Sequence, residues 1–303
     1  MKSSLIKGHC ALLAANTMWG LMAPLGKDLL NGSVIPPLSL AALRIVGGAL
    51  LFWMLTLLTP TSVMPKESID RRDWPRLIIA SLLVIAANQA LIILGLSYAS
   101  PVDGAVVCST TPIFCLLLAT LVFRQRMAWM KVAGVALGFA GMLMFVFGGS
   151  ADASMHVDNP LLGDSLCLLA QFFGAMYLVF FSDIIQKYSP FTLMKWLFTI
   201  SAVAMLPFTA TDIVSIPWHE LTGAMTAELI YVVLCATFLA YLLLPVGQKS
   251  VQPTAVAMYN YLQPVVAMVY SLAAGLAIMN GMSVLATALI FIGVWMVSRE
   301  SKQ

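Results

Sequence analysis

The chain has 303 residues, of which 61% are hydrophobic and only 10% charged, with a formal net charge of +3. Soluble domains carry about 25% charged residues, so this composition excludes a water-soluble fold, which could not cover so much apolar surface. The small charge, scattered along the chain, also excludes nucleic acid as a partner.

A bilayer-crossing helix needs roughly 20 apolar residues, and ten such segments are predicted. The first, at 9–30, carries Asn16, Trp19 and Pro24; it is too long for a signal sequence, is interrupted by Asn16 and Lys27, and lacks a small-x-small cleavage site. The second, at 36–58, holds Arg44. The polar stretch from Thr59 to Pro75 is the longest gap and leaves no room for a soluble domain. Segments at 76–98 and 101–123 follow, with Asn88 and Gln89 in the third and Asp103, Ser109, Thr110, Thr111 and Pro112 in the fourth. The fifth, at 128–149, is almost free of polar side chains and contains "GVALG", Gly134 to Gly138, a small-residue face for packing within the chain or for dimerisation. The sixth, at 161–183, holds Gln171, and the seventh lies at 190–211. The eighth, at 226–248, has Thr237, Tyr241 and Pro245; the ninth, at 252–274, has Tyr259, Asn260, Gln263 and Pro264; the tenth, at 280–298, is again nearly all apolar. The five cysteines sit in apolar runs without metal-ligand spacing and read as small buried hydrophobes.

Lys and Arg in the loops set the orientation. With the N-terminus inside, the inner segments hold Lys2, Lys7, Lys66, Arg71, Arg72, Arg76, Arg124, Arg126, Lys131, Lys187, Lys195, Lys249, Arg299 and Lys302, and the outer loops hold only Lys27. Both termini are therefore expected in the cytoplasm of a multi-pass inner (plasma) membrane protein.

The chain also repeats. At an offset of 152, Gly95 meets Gly247, Pro101 meets Pro253, Pro112 meets Pro264, Phe139 meets Phe291 and Gly141 meets Gly293, without a gap. At an offset of 155, Gly8 meets Gly163, Ala15 meets Ala170 and Asn16 meets Gln171. This predicts two five-helix halves, 1–149 and 150–303, and an odd number of crossings inverts the second. Inverted repeats are a signature of secondary transporters. The expected fold is thus all-α, integral to the membrane, with ten transmembrane helices in two inverted five-helix repeats.

The stretches "NTMWGLMAPLGK", "GLSYASPVDGAVVCSTTPIF", "LGDSLCLLAQFFGAMYLVF" and "GQKSVQPTAVAMYNYLQPVVAM", with Arg44 early in the second segment, resemble the drug/metabolite transporter superfamily, EamA type, over nearly the whole chain. The resemblance implies ten helices, a central cavity between the halves and export or exchange of small metabolites. The family's Gly-Glu pair after the fourth and ninth segments is absent: those places read "FRQRM", with Gln125, and "GLAIMN", with Ala277.

Polar groups inside a bilayer must face other helices or water. The mid-segment polar residues fall on segments one, three, four, six, eight and nine, which predicts an inner set around a cavity and an outer supporting set. Candidate substrate contacts are Asn16, Trp19, Arg44, Asn88, Gln171, Tyr241, Tyr259 and Asn260; the alternative is interhelical hydrogen bonding, and for Trp19 plain packing. Methionines such as Met18, Met22, Met176, Met258 and Met268 are either a soft lining or gap fillers. Pro24, Pro112, Pro245 and Pro264 are expected to kink their helices, as pivots or as static shape.

Arg44 lies about 12 Å below the outer end of its segment. Its reading is divided between a structural ion pair with Asp103, or capture of freed backbone carbonyls, and a fork that holds a substrate carboxylate. None of the thirteen acids lies mid-segment, so no proton relay is evident, and no Walker motif points to ATP. Facilitated efflux or exchange of a small amphiphilic solute, an amino acid or similar, is expected, by a monomer or homodimer. No HExxH or buried aspartate pair suggests an enzyme, and no catalytic residue, metal or cofactor is expected. A sensor or scaffold on a transporter fold, without solute flux, is the second reading.

Overall fold

The computed structural model describes residues 2–31, 34–59, 67–98, 110–123, 128–148, 160–273 and 281–300, and among them every regular element is helical. Helices are what an apolar chain in lipid must form, because only they satisfy each backbone polar group within the segment. They are α1 (Lys2–Asn31), α2 (Pro37–Leu58), α3 (residues 74–98), α4 (Thr111–Phe123), α5 (Trp129–Gly148), α6 (Pro160–Phe180), α7 (Pro190–Val214), α8 (residues 223–248), α9 (residues 253–273) and α10 (Gly281–Glu300). A short helix, Ser182–Lys187, links α6 to α7. Prolines begin α2, α7 and α9, where the missing N–H costs nothing. Ser189 and Thr222 cap α7 and α8 by accepting from the N–H groups of Thr192 and Met225.

Each of the ten predicted segments contains helix. Five stretches are long and apolar enough to cross a membrane: Pro37–Leu58, Trp74–Gly95, Leu161–Phe180, Pro190–Val214 and Gly223–Gln248. Thr111–Val122, Trp129–Met144 and Val284–Val297 are shorter apolar helices. Leu57, Leu121 and Phe208 are exposed, as side chains facing lipid would be. The result is an all-helical, multi-pass membrane fold.

Its packing is symmetric between the halves. Helices α2 and α7 pack together, as do α5 and α10; α3 packs on α6 while α8 packs on α1, and α4 packs on α6 while α9 packs on α1. Glycines record the same symmetry at close range. A Cβ added to Gly95 would meet Cys167 at 2.4 Å, and one added to Gly247 would meet Leu12 at 2.3 Å. One added to Gly293 would meet the Gly134 carbonyl at 2.6 Å, and one on Gly141 would meet the Ala286 carbonyl at 2.8 Å. The "GVALG" face therefore packs inside the chain, against α10.

Backbone irregularities fall at equivalent places too. Leu82–Ala87 in α3 and Leu234–Leu239 in α8 are π-helical turns, 152 residues apart. In α9 a 3₁₀ turn, Tyr259–Tyr261, precedes Pro264. Pro24 and Pro245 lie inside α1 and α8, and Pro207, which the sequence reading passed over, lies inside α7. Pro112 is the second residue of α4, a position that tolerates proline unstrained.

At the end bearing the basic loops, residues 67–76 meet the α6–α7 connection. Lys187 bridges Asp70 and Asp73, the Tyr188 hydroxyl donates to Asp73 at 2.6 Å, and Arg76 forks onto Asp183 at 2.5 and 2.8 Å. The Ser189 N–H donates to Glu67 at 2.8 Å. Trp53, Trp74 and Trp196 stack edge to face beneath it, with the Lys195 ammonium 4.7 Å from the Trp53 ring. Such aromatic and cationic groups belong at a membrane interface.

Candidate functional site

Arg44 sits in α2 with 5% of its surface exposed. Its Nε donates to Thr237 Oγ1 at 3.0 Å and its Nη1 to Gln89 Oε1 at 2.9 Å. Gln89 in turn donates from Nε2 to the Tyr241 hydroxyl at 2.6 Å. Among the described residues no carboxylate pairs with Arg44. Asp103, the sequence-derived partner, lies outside the described residues, as do Gln125 and Ala277.

The two π turns shape this cluster. A π turn shifts the helical hydrogen-bond register and redirects carbonyls. Thr237, inside the α8 turn, donates back to the Val232 carbonyl at 2.8 Å, which aims its oxygen at Arg44 as an acceptor. The Ala236 carbonyl of the same turn accepts from Trp19 Nε1 at 2.8 Å. The Trp19 and Phe198 rings each meet Tyr241 edge to face, at 5.3 and 5.1 Å. Pro245, one turn on, withholds the donor that the Tyr241 carbonyl would otherwise receive.

The structure therefore brings Trp19, Arg44 and Tyr241 into one cluster and adds Gln89 and Thr237. The other candidates lie in separate contacts, all but that of Asn260 between the halves. Asn16 donates to the Leu12 carbonyl and accepts from Gln263 Nε2 at 3.1 Å. Gln171 accepts from Thr111 at 2.5 Å. These two are one contact made twice, since Asn16 and Gln171 are repeat equivalents, as are Thr111 and Gln263. Asn88 donates to the Ala170 carbonyl at 2.6 Å. The Tyr259 hydroxyl pairs with His9 Nδ1 at 2.6 Å, which places His9 against α9. Asn260 is half-buried and faces Gln263 at 3.5 Å.

Gln89 and Thr237 were visible as mid-segment polar residues but carried no charge to single them out. The signal that finds Gln89 is its offset of 152 from Tyr241.

A buried guanidinium held only by neutral acceptors has part of its hydrogen-bonding capacity left for a planar anion, and aromatic rings beside it supply apolar surface. That pairing of groups suits a small solute with one anionic end.

Comparison with known proteins agrees with this architecture. A solved crystal structure superposes with a TM-score of 0.77 at 17% identity, covering 100% of this chain and 98% of that one, which shows a shared fold. The chain is 24% identical over 231 residues to the uncharacterized transporter YyaM of Bacillus subtilis (strain 168), covering 76% of this chain and 74% of YyaM. It is 26% identical over 269 residues to the uncharacterized transporter YvbV of the same organism, covering 88% and 83%. It is 24% identical over 239 residues to an uncharacterized transporter of Archaeoglobus fulgidus, covering 78% and 79%. The profile of the EamA-like transporter family matches residues 6–147 and residues 161–299. With that match over nearly its whole length, the chain belongs to the EamA-like transporter family.

Proposed function

We propose that this transporter moves a small amphiphilic metabolite bearing a carboxylate, an amino acid or a similar solute, outward across the inner membrane. It works by alternating access between two inverted halves, with ten crossings and both termini in the cytoplasm, as a monomer or homodimer. The observation that carries the reading is Arg44: a cation at membrane depth, buried and bonded to Gln89 and Thr237 alone among the described residues. An arginine at a helix centre costs about 3 kcal/mol on insertion scales, and its two neutral acceptors recover only part of that cost. A carboxylate arriving in the site offsets the rest. Movement is down a gradient or by exchange, because no acid among the thirteen lies mid-segment in the sequence.

The test is uptake of labelled amino acids into proteoliposomes, with and without a pH gradient. Flux that the gradient leaves unchanged supports facilitated movement or exchange. Absence of flux for every solute released by overexpressing cells would sink the carrier reading and favour the sensor. Introduced thiols at Arg71 and Lys249 should label from the same, cytoplasmic, side.

A further inference from the structure

At the end bearing the basic loops the two halves are held together in two different ways. In one, Lys187 bonds to Asp73 and Arg76 to Asp183. Behind these pairs stand the Trp53, Trp74 and Trp196 stack, the Ser81–Ser201 hydrogen bond at 2.7 Å and the packing of α2 on α7. Charge pairs backed by close packing on this scale move only as a block.

The other tie is thinner. Among the described residues, two side-chain bonds hold the start of α9 to the first half. Lys131 Nζ on α5 donates to Gln252 Oε1 at 2.9 Å, and His9 Nδ1 on α1 pairs with the Tyr259 hydroxyl at 2.6 Å. The backbone here is interrupted. Pro253–Met258 is α-helical, Tyr259–Tyr261 is a 3₁₀ turn, and Pro264 cannot donate the bond that the Asn260 carbonyl would receive in an α-helix. A 3₁₀ stretch inside a helix often marks a hinge. Tyr261 fixes the pivot, because a Cβ added to Gly138 of α5 would meet its ring at 2.7 Å. Thr254, Ala255 and Ala257 are small, so the stretch before the turn buries less apolar surface than a leucine-rich one would.

The same stretch has room beside it. A cavity of about 280 Å³ lies between Gln252, Pro253 and Val256 on one side and Leu178, Ser182 and Ile185 on the other. Its far wall belongs to α6 and the Ser182–Lys187 link, so movement into it carries the start of α9 off α5. The Gln248 carbonyl at the end of α8 accepts from Gln186 Nε2 at 3.1 Å, while its buried carboxamide has no partner, a cost that this packing of the turn carries.

We propose that Gln252–Met258 is the gate at this end of the passage. It swings about Tyr259–Tyr261 into the cavity, Lys131 releases Gln252, His9 releases Tyr259, and a path opens between α9 and helices α1 and α5. The Lys187 and Arg76 pairs stay closed throughout and serve as the joint. In the structure the gate is shut. Its part in a transport cycle rests on the transport reading above, whereas the movement itself does not.

The experiment uses the full chain with its cysteines replaced by alanine and one of two thiol pairs introduced. Lys131→Cys with Gln252→Cys spans the gate, and Asp73→Cys with Lys187→Cys spans the joint. Each pair is bridged by a reducible bis-methanethiosulfonate, and flux of labelled amino acids is followed in proteoliposomes. Bridging the gate should cut flux about tenfold or more, with recovery on reduction, and bridging the joint should leave it within about twofold. A second measurement keeps the natural cysteines. In nanodiscs, Lys131→Met should speed amide hydrogen exchange of residues 254–258 several-fold and leave residues 193–200 unchanged. Gly8→Ala should do the same, because its methyl would meet Ser250 Cβ at 2.6 Å and press on the α8–α9 turn. Full flux with the gate bridged, equal loss with either bridge, exchange unchanged in both variants, or acceleration spread equally over residues 193–200 would each overturn the gate. The expected exchange without flux of any solute keeps the gate and removes the transport reading; flux indifferent to the gate bridge does the reverse.

Discussion

Gln89 and Tyr241 occupy the same position in the two repeats, 152 residues apart, and they are hydrogen-bonded to each other at 2.6 Å. Equivalent residues of two halves touch only where the pseudo-two-fold axis passes between them. The bond therefore marks that axis, and Arg44 is attached to it through the Gln89 carbonyl oxygen. A double-mutant cycle with Gln89→Leu and Tyr241→Phe should return a coupling of about 0.6 to 1.7 kcal/mol, the range found for hydrogen bonds between membrane helices. Denaturation in mixed micelles measures it, and strict additivity would show that the pair is not coupled.

Arg44→Lys keeps the charge and loses the planar fork. Flux of carboxylate solutes should fall at least tenfold, equivalent to about 1.4 kcal/mol, while Arg44→Leu, which removes a buried charge, should melt no lower than the parent. Transport and melting both unchanged in Arg44→Lys would exclude a two-point hold on a carboxylate.

The α5–α10 contact depends on glycine. A methyl at Gly293 would sit 2.6 Å from the Gly134 carbonyl, where backbone must move. Gly293→Ala should cost about 1 to 3 kcal/mol, the range for overpacking. Gly223→Ala, where nothing lies within 4 Å, should stay within about 0.5 kcal/mol. Thermal melts in one detergent compare them; equal melting of the two variants would contradict the packing described.

The charged cluster between residues 67–76 and the α6–α7 connection makes a pH prediction. Hydrogen bonds from Lys187 and Tyr188 hold Asp73 below the usual carboxylate range, and the Arg76 fork does the same for Asp183. A depressed carboxylate stabilises fully above its unfolded pKa, about 3.9, and loses that contribution as pH falls through the folded value. Lys187 is shifted up by its bonds to Asp70 and Asp73, so its contribution is complete below about 10.4 and is lost at higher pH. Melting temperature should accordingly be flat in this respect from about pH 5 to 9 and fall below about pH 4. Arg76, Asp183, Lys187 and Asp70 are substantially exposed, so salt should blunt the effect, and Lys187→Met should flatten the acid limb.

Composition and pattern alone determined that the chain lives in lipid, where the helical segments lie and that the two halves repeat. These properties follow from transfer free energy summed along a segment and from spacing, both of which can be read residue by residue. The existence of Arg44 as an anomaly was legible for the same reason. What it touches was not. Its acceptors lie 45 and 193 residues away, and which side chains come within 3 Å depends on how α3 and α8 are rotated and tilted. The π turns that set that rotation leave no periodic trace in "LLVIAA" or "LCATFL". Asn16, Gln171 and Tyr259 looked alike in the sequence as polar groups in lipid, and only tertiary packing gave each a different partner. Gln248 stood unnoticed at the end of its segment, because a missing hydrogen bond is a property of the surroundings and not of the residue.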